Sequence, residues 1–282
     1  MRVRRLRQKA LPLTNDGRLS LFFVGCGSAF SKQHFQNNVL LVQGDQHLMI
    51  DCGTNTPVAF HRLGLSVSDI DSFLITHSHA DHIGGLEEVL LVNRYVAQKK
   101  PELILTEAYE KRLWEQSLRG GCELNEKHEG SGLTLRDFAR VRFPSPADDG
   151  RWDLREIHHG PMHLRLFRTR HYPEQAETWQ DSAYSIGAVI NDRVLFTGDT
   201  QFDPELVGEL DEQYHFEAIF HDVQFFTGGV HCSLDELSGL PEEIRNRIYL
   251  MHYPDSYPKH AKEVKRLGMR FVKQWHFYDF PD

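Results

Sequence analysis

Residues 77–82 read His77-Ser78-His79-Ala80-Asp81-His82, three imidazoles and one carboxylate within six positions. An apolar run, Phe73-Leu74-Ile75, leads in, and an apolar pattern at helical spacing begins at Ile83. Neutral imidazoles and a carboxylate at this density form the donor set of a zinc-type site, serving one ion or two ions that share a loop. The plainer alternative is a polar turn that happens to be rich in histidine. Strand, ligand cluster, helix is the order in which a rigid metal site is built, and it limits the fold. A strand must end where a helix starts, and other strand ends must supply the remaining donors.

Composition allows this. The chain has 282 residues, 40% hydrophobic and 26% charged, enough for one large core or two small ones. Its net charge of −8 excludes a global basic signature for nucleic acid, and 17 histidines fit a metalloprotein. Cys26, Cys52, Cys122 and Cys232 are widely spaced with no CxxC pair, which predicts free thiols and a cytoplasmic setting. The N-terminus is basic from Arg2 to Lys9 but is followed by no apolar h-region, so residues 1–18 are expected as a solvated tail, with contact to an anionic partner as the alternative. No run approaches the roughly 18 apolar residues of a membrane span.

Along the chain, residues 19–24, 38–42 and 47–50 read as strands, the last two joined through Gly44-Asp45 and the third ending at Asp51-Cys52-Gly53. Residues 57–64 read as a short helix, 71–76 as the strand that delivers the histidine loop, and 83–99 as one helix ended by Pro101. Residues 107–118 read as helix. Residues 120–150, with Gly120, Gly121, Gly130, Gly132, Pro144, Pro146 and Gly150, are expected as an irregular insertion with short strands inside a single domain over 19–282. Strands over 163–170, 183–190, 194–197, 218–220 and 247–250 follow, with a helix from Asp235 capped by Ser233, a helix over 259–267 and a last strand over 269–272. Three of these strands stop at ligand-type residues: His171, Asp199 and His252. Polar residues recurring at strand ends place the chemistry on one rim of a layered α/β fold.

The order His77-x-His79-x-Asp81-His82, a later His171, Gly198-Asp199 and a last His252 resembles the metallo-β-lactamase superfamily, over nearly the whole chain once the early strands and Asp51-Cys52-Gly53 are counted. The resemblance implies an αββα four-layer sandwich with a dinuclear centre at one edge. It implies one metal on His77, His79 and His171, a second on Asp81, His82 and His252, Asp199 bridging, and a hydroxide between two divalent ions. Zinc is expected, with manganese or iron open. Two cations lower the pKa of a shared water and clamp a developing oxyanion, and Asp81 is expected to orient that water as a base.

Residue 79 is His and residue 199 is Asp, unlike the redox di-iron branch and the cysteine-ligand β-lactamases. Gly25-Cys26-Gly27-Ser28-Ala29, Asn37-Asn38, Gly84-Gly85-Leu86 and Phe196-Thr197-Gly198-Asp199-Thr200 are similar to the phosphodiesterase branch that includes tRNase Z. His221-Asp222-Val223-Gln224 and His231-Cys232-Ser233 fall where that branch places its proton-donating elements, which implies His231 as general acid and Asp222 as its partner. The alternative is that both only pack around the metal ligands. The match is imperfect, with Asp for Glu and Gln for Thr, and no long glycine- and proline-rich tRNA-gripping arm is evident. The expected substrate is therefore a phosphodiester: a cyclic nucleotide, an oligonucleotide or a small diester, with RNA unsupported by charge. The rivals are a lactonase or glyoxalase II-like thioesterase, a mononuclear iron dioxygenase, and a non-catalytic metal-binding protein. Homo-oligomer formation is left open. Tyr172, Trp179, Tyr184, Phe202, Phe225, Phe226, Tyr253 and Tyr257 are candidates to line a pocket that stacks a ring, Arg168 and Arg170 to face phosphate, and Gly228-Gly229 to make a mobile loop or a plain turn.

Overall fold

The computed structural model describes residues 1–128, 130–147 and 151–281. The chain forms two compact units. The first comprises Arg2–Gly25, Asn38–Pro144 and the segment from Trp275 onward; the second comprises Met1, Cys26–Asn37 and Ser145–Gln274. Each is built on one eight-stranded sheet. The two-sheet architecture expected from the sequence is present. Among the described residues no helix is long and apolar enough to cross a membrane.

In chain order the first unit contributes β1 (Arg2–Arg5), β2 (Leu19–Gly25), β3 (Asn38–Gln43), β4 (Gln46–Ile50), β5 (Ser72–Leu74) and β6 (Glu102–Ile104). A separate two-stranded ribbon follows, β7 (Lys127–His128) and β8 (Ser131–Gly132), and then β9 (Arg140–Arg142). The second unit contributes β10 (Ser145–Pro146), β11 (Arg155–His159), β12 (Met162–Arg168), β13 (Ile186–Ile190), β14 (Val194–Phe196), β15 (Ala218–Asp222), β16 (Ile248–Met251) and β17 (Arg270–Phe271). The chain then returns to the first unit as β18 (His276–Phe280).

The first sheet runs β1-β18-β2-β3-β4-β5-β6-β9, antiparallel as far as β4 and parallel from β4 to β9. Every residue of β2 and of β5 is buried, which is why both read as unbroken apolar runs rather than alternating ones. The β3–β4 hairpin turns at Gly44, whose φ of +65° suits a tight hairpin. The second sheet follows chain order from β10 to β17, antiparallel through β14 and parallel after it. Its β13–β14 hairpin holds Asn191 and Asp192 at φ of +51° and +56°, a conformation these two residue types tolerate. The parallel strands are joined through helices Pro204–Tyr214, Leu234–Ser238, Glu242–Arg245 and Ala261–Arg266. A parallel ladder brings the carboxyl ends of its strands to one edge. In the second unit that edge carries Asp199, Asp222 and His252, and in the first it carries Asp51 and His77.

Several elements differ from their sequence reading. Arg2–Arg5 is not a solvated tail but an edge strand paired with β18. Arg4 Nε lies 2.6 Å from Asp279 Oδ2, Ser20 Oγ donates to Asp279 Oδ1 at 2.7 Å, and the Arg4 guanidinium sits 3.8 Å over the Phe277 ring. A polar strand whose partner lies at the other end of the chain leaves no local signature. The helix read over 83–99 is broken by Gly84-Gly85 into Ala80–Ile83 and Leu86–Val92, and it finishes in a wider π-turn, Asn93–Ala97, closed by Gln98 at φ +55°. Pro204–Tyr214 is a helix beyond those the sequence predicts; Asp203 caps it through Leu206 N at 3.0 Å, and it buries Leu206, Val207 and Leu210. Residues 120–150 carry short strands as expected, together with a capped helix, Leu135–Phe138. Residues 129 and 148–150 of that segment lie outside the described residues.

Candidate metal centre

In the first unit the parallel register pairs Ile50 with Leu74, so Asp51 and Thr76 emerge side by side. Asp51 adopts φ +63° and is buried. Its Oδ1 accepts from Thr76 N at 2.8 Å, and its Oδ2 accepts from Thr76 Oγ1 at 2.7 Å and from His82 Nδ1 at 2.7 Å. With Nδ1 committed to a carboxylate, the His82 ring presents Nε2, the arrangement of a metal-ligating histidine. That Nε2 lies 3.2 Å from Asp81 Oδ2. Thr76 Oγ1 also receives His77 Nδ1 at 3.1 Å, which turns His77 Nε2 toward His79 Nδ1, 3.0 Å away. Burial pushes the Asp51 carboxyl above its usual range, against the His82 and Thr76 contacts that favour its charge. The helical turn carrying Asp81 and His82 is held by Asn38, whose Nδ2 donates to Asp81 O at 3.1 Å and whose Oδ1 accepts from Gly53 N at 2.6 Å and from Thr56 Oγ1. Gly84 suits this approach, since a Cβ there would stand 2.5 Å from the backbone oxygen of Ala80.

The second unit supplies its own donors. His171 Nδ1 donates to Val230 O at 2.7 Å, again leaving Nε2 as the ligand-type atom. Asp199 follows Gly198, where both a φ of +62° and the 2.5 Å that would separate a Cβ from Ile186 O call for glycine. Asp199 Oδ2 lies 3.4 Å from His252 Nε2 and 3.9 Å from His171 Nε2, so one carboxylate oxygen serves two imidazoles. His231 is held by Asp222, with Nδ1 to Oδ2 at 2.8 Å. Asp222 is fully buried, and it also accepts from Thr200 N at 3.2 Å and lies 3.2 Å from His221 Nδ1. Burial alone would raise its carboxyl pKa; the hydrogen bonds from His221 and His231 outweigh it and hold the group below the usual range. His231 Nδ1 stands 3.9 Å from Asp199 Oδ2, and ligand-type atoms of His171, Asp199 and His231 all lie within 4.8 Å of one another.

The donors fit metal ions. Ligand bonds of about 2.0–2.1 Å in tetrahedral geometry set neighbouring donor atoms roughly 3.3 Å apart. The pairs His77/His79, Asp81/His82 and His252/Asp199 stand 3.0, 3.2 and 3.4 Å apart. Among the described residues no cysteine joins these donor groups: all four are free and buried, and burial pushes the Cys26 thiol up to about 12 and Cys122 to about 11.

The residues that aim these side chains carry a weaker signal in the sequence than the candidate donors do. Asp51, Thr76 and Asn38 orient the first unit's loop; the Asp51-Cys52-Gly53 turn after a strand and Asn37-Asn38 before one were the available signals. Arg168 and Arg170 do not face a phosphate site. Arg168 donates to the carbonyls of Trp179, Ala183 and Ser185, and Arg170 to those of Ala176, Glu177 and Phe202. Of the aromatic candidates, Tyr184 and Tyr253 are buried, and Trp179 Nε1 is tied to Arg151 O at 2.6 Å. Gly228 and Gly229 take φ of +87° and +89° in a stapled turn, with Gly229 N donating to Glu174 Oε1 at 2.7 Å.

The chain is similar over its length to the metallo-β-lactamase fold protein YhfI from Bacillus subtilis, with TM-score 0.70, 15% identity, and 93% and 100% of the two chains covered. It is similar to a diphosphatase of the PhnP family with TM-score 0.66 and 16% identity, covering 94% and 98%. These likenesses establish the fold, the one expected from the ligand order. In sequence it is 40% identical over 269 residues to the anti-Pycsar protein Apyc1 of Bacillus phage 010DV004, covering 92% of this chain and 98% of that one. It is 38% identical over 261 residues to the protein of the same description from Paenibacillus sp. (strain J14), covering 92% and 98%. The profile of the family described as Anti-Pycsar protein Apyc1 matches residues 19–278, and the chain belongs to that family.

Proposed function

We propose that the protein is a dinuclear metal-dependent phosphodiesterase whose substrate class is a cyclic nucleotide. His77 and His79 with His171 would hold one ion, and Asp81 and His82 with His252 the other, with Asp199 shared. The spacing within each unit supports this: two donor pairs in the first, and in the second two imidazoles on a single carboxylate oxygen. Two bound divalent cations would activate water and neutralise charge on the phosphoryl oxygens. Zinc fits the donor types best, with manganese and iron as the alternatives.

The Asp222–His231 pair carries the choice of reaction. Water adds to phosphorus, one P–O bond breaks, and the departing sugar alkoxide needs a proton. His231, with Nδ1 held at 2.8 Å by a buried carboxylate kept ionised, is stabilised as an imidazolium and delivers that proton from Nε2. The Asp81 carboxylate orients the attacking water and takes its proton. A lactone or thioester has less need of such an acid. The anti-Pycsar description of the relatives supports taking the cyclic nucleotide ahead of other diesters. The test is to load the purified protein with zinc or manganese and to offer 3′,5′-cyclic nucleotides and bis-p-nitrophenyl phosphate beside a lactone and a thioester. Turnover of the phosphodiesters is expected; turnover of the carbonyl substrates alone refutes the proposal.

A further inference from the structure

Two of the chain's large apolar side chains are exposed on loops that several hydrogen bonds tie down. Phe30 is 87% exposed and Phe226 is 65% exposed, and both belong to the second unit. Phe226 lies five residues before His231. The neck of its loop is closed by Gln224 N to Cys232 O at 2.8 Å and Leu234 N to Gln224 O at 3.0 Å. Gln224 Nε2 staples it from inside, donating to Phe226 O at 3.0 Å and to Gly228 O. Its far end is tied to Glu174 and His171 through Gly229 N and Val230 O. Phe30 lies on the loop that follows β2, where Ser28 N donates to Tyr253 O at 3.0 Å, one residue past His252. Asp255 fastens the same loop, accepting from Ser31 Oγ, from Lys32 N at 2.8 Å and from Gln33 N at 3.2 Å.

The roots of both loops join one aromatic cluster. His34 meets Tyr253 and Tyr257 at 5.5 and 5.3 Å, and Tyr257 meets Phe271 at 5.1 Å. Phe225 meets Phe271 at 6.1 Å and stacks on His260 at 4.0 Å with 6° between planes. Phe225 thus turns inward as an anchor while its neighbour Phe226 turns out. An exposed phenylalanine on a floppy loop means little, whereas one braced against metal-site residues is preorganised to meet a ring.

We infer that Phe226 and Phe30 form an aromatic rim that takes the nucleobase of a nucleotide substrate, an inference that rests on the phosphodiesterase reading above. The two rings by themselves are too small to make a subunit interface. A stable one needs roughly 800 Å² from each partner, whereas a Phe side chain buries about 150–250 Å². Each ring here stands among small or polar neighbours, Ala29, Ser31 and Lys32 in one loop and Thr227 and Gly228 in the other. One ring face matches one base, and stacking tolerates any base because each has a π-face.

The test uses the full-length, zinc-loaded protein and the variants Phe226→Ala, Phe30→Ala and Phe226→Trp. Calorimetry measures binding of a nucleoside 5′-monophosphate and of ribose 5-phosphate, which differ by the base, and kinetics gives KM for a 3′,5′-cyclic nucleotide. For each alanine variant the loss on the monophosphate should exceed the loss on ribose 5-phosphate by roughly 5- to 150-fold, the equivalent of one base–aromatic stack, with KM rising in step. Trp at 226 should restore binding. Equal losses on both ligands, no loss, or a wild type that does not distinguish them overturns the inference. So does a dimer-to-monomer change on sedimentation without a base-dependent loss. A wild type that turns over no phosphodiester overturns the catalytic reading instead, while the two binding arms still judge the rim.

Discussion

Replacing His231 by Ala tests the proposed mechanism at its most specific point, because the predicted loss depends on the leaving group. In the wild type His231 Nδ1 is 2.8 Å from Asp222 Oδ2, and the buried carboxylate is held ionised by two histidine contacts. A positioned general acid contributes about 10²–10⁴ in rate when the leaving oxygen is a poor one. On a 3′,5′-cyclic nucleotide, whose leaving group is a sugar alkoxide, kcat/KM of His231→Ala should fall by that factor. On bis-p-nitrophenyl phosphate the leaving phenolate is already stable, and the loss should shrink to less than about tenfold. Asp222→Asn keeps the imidazole but removes the charge that favours its protonated form. A hydrogen bond to a charged group is worth about 1.5–3 kcal/mol net, so this variant should lose roughly 10- to 10²-fold on the cyclic nucleotide, less than His231→Ala. The assay is steady-state kinetics on both substrates with bound metal measured for each protein. Equal losses on the two substrates at full metal content would falsify the role of His231 as acid and make it a support for the metal ligands.

Three further outcomes are expected. Asp51→Asn weakens the carboxylate that fixes the His82 tautomer, so zinc affinity measured by chelator competition should fall about 10- to 100-fold, and unchanged affinity would show that Asp51 does not orient the ligand. Gly198→Ala places a side chain at φ +62° with its Cβ 2.5 Å from Ile186 O; the denaturant midpoint should correspond to a loss of about 1–3 kcal/mol, and wild-type stability would refute the close approach. Arg4→Ala leaves buried Asp279 with Ser20 as a remaining partner and should cost about 1–3 kcal/mol in equilibrium unfolding, whereas a change under about 0.5 kcal/mol would return the N-terminus to the status of a solvated tail.

The sequence alone showed the candidate donors and their order. His77, His79, Asp81 and His82 sit within one loop, and short-range spacing is fixed by covalent geometry, so a reader of the chain sees them at once. The strands that lead toward Asp199 and His252 were legible for a similar reason, since a short apolar run stopping near a polar residue marks a buried strand reaching an edge, whereas β12, which leads toward His171, alternates apolar with polar residues as a half-buried strand does. Tertiary structure decided which atom of each residue is left to face the candidate site. His82 presents Nε2 because Asp51 takes Nδ1, and Asp51 is there because the parallel register sets Ile50 against Leu74. His171 presents Nε2 because a carbonyl 59 residues later takes its other nitrogen. The same holds for the misread parts. β1 gains its place from β18, which lies at the opposite end of the chain, and the arginines before His171 turn to backbone carbonyls that no spacing rule could supply. Local pattern records what a residue is able to bind; the partner that claims its other atoms comes from a distant segment, and that partner sets the direction in which it binds.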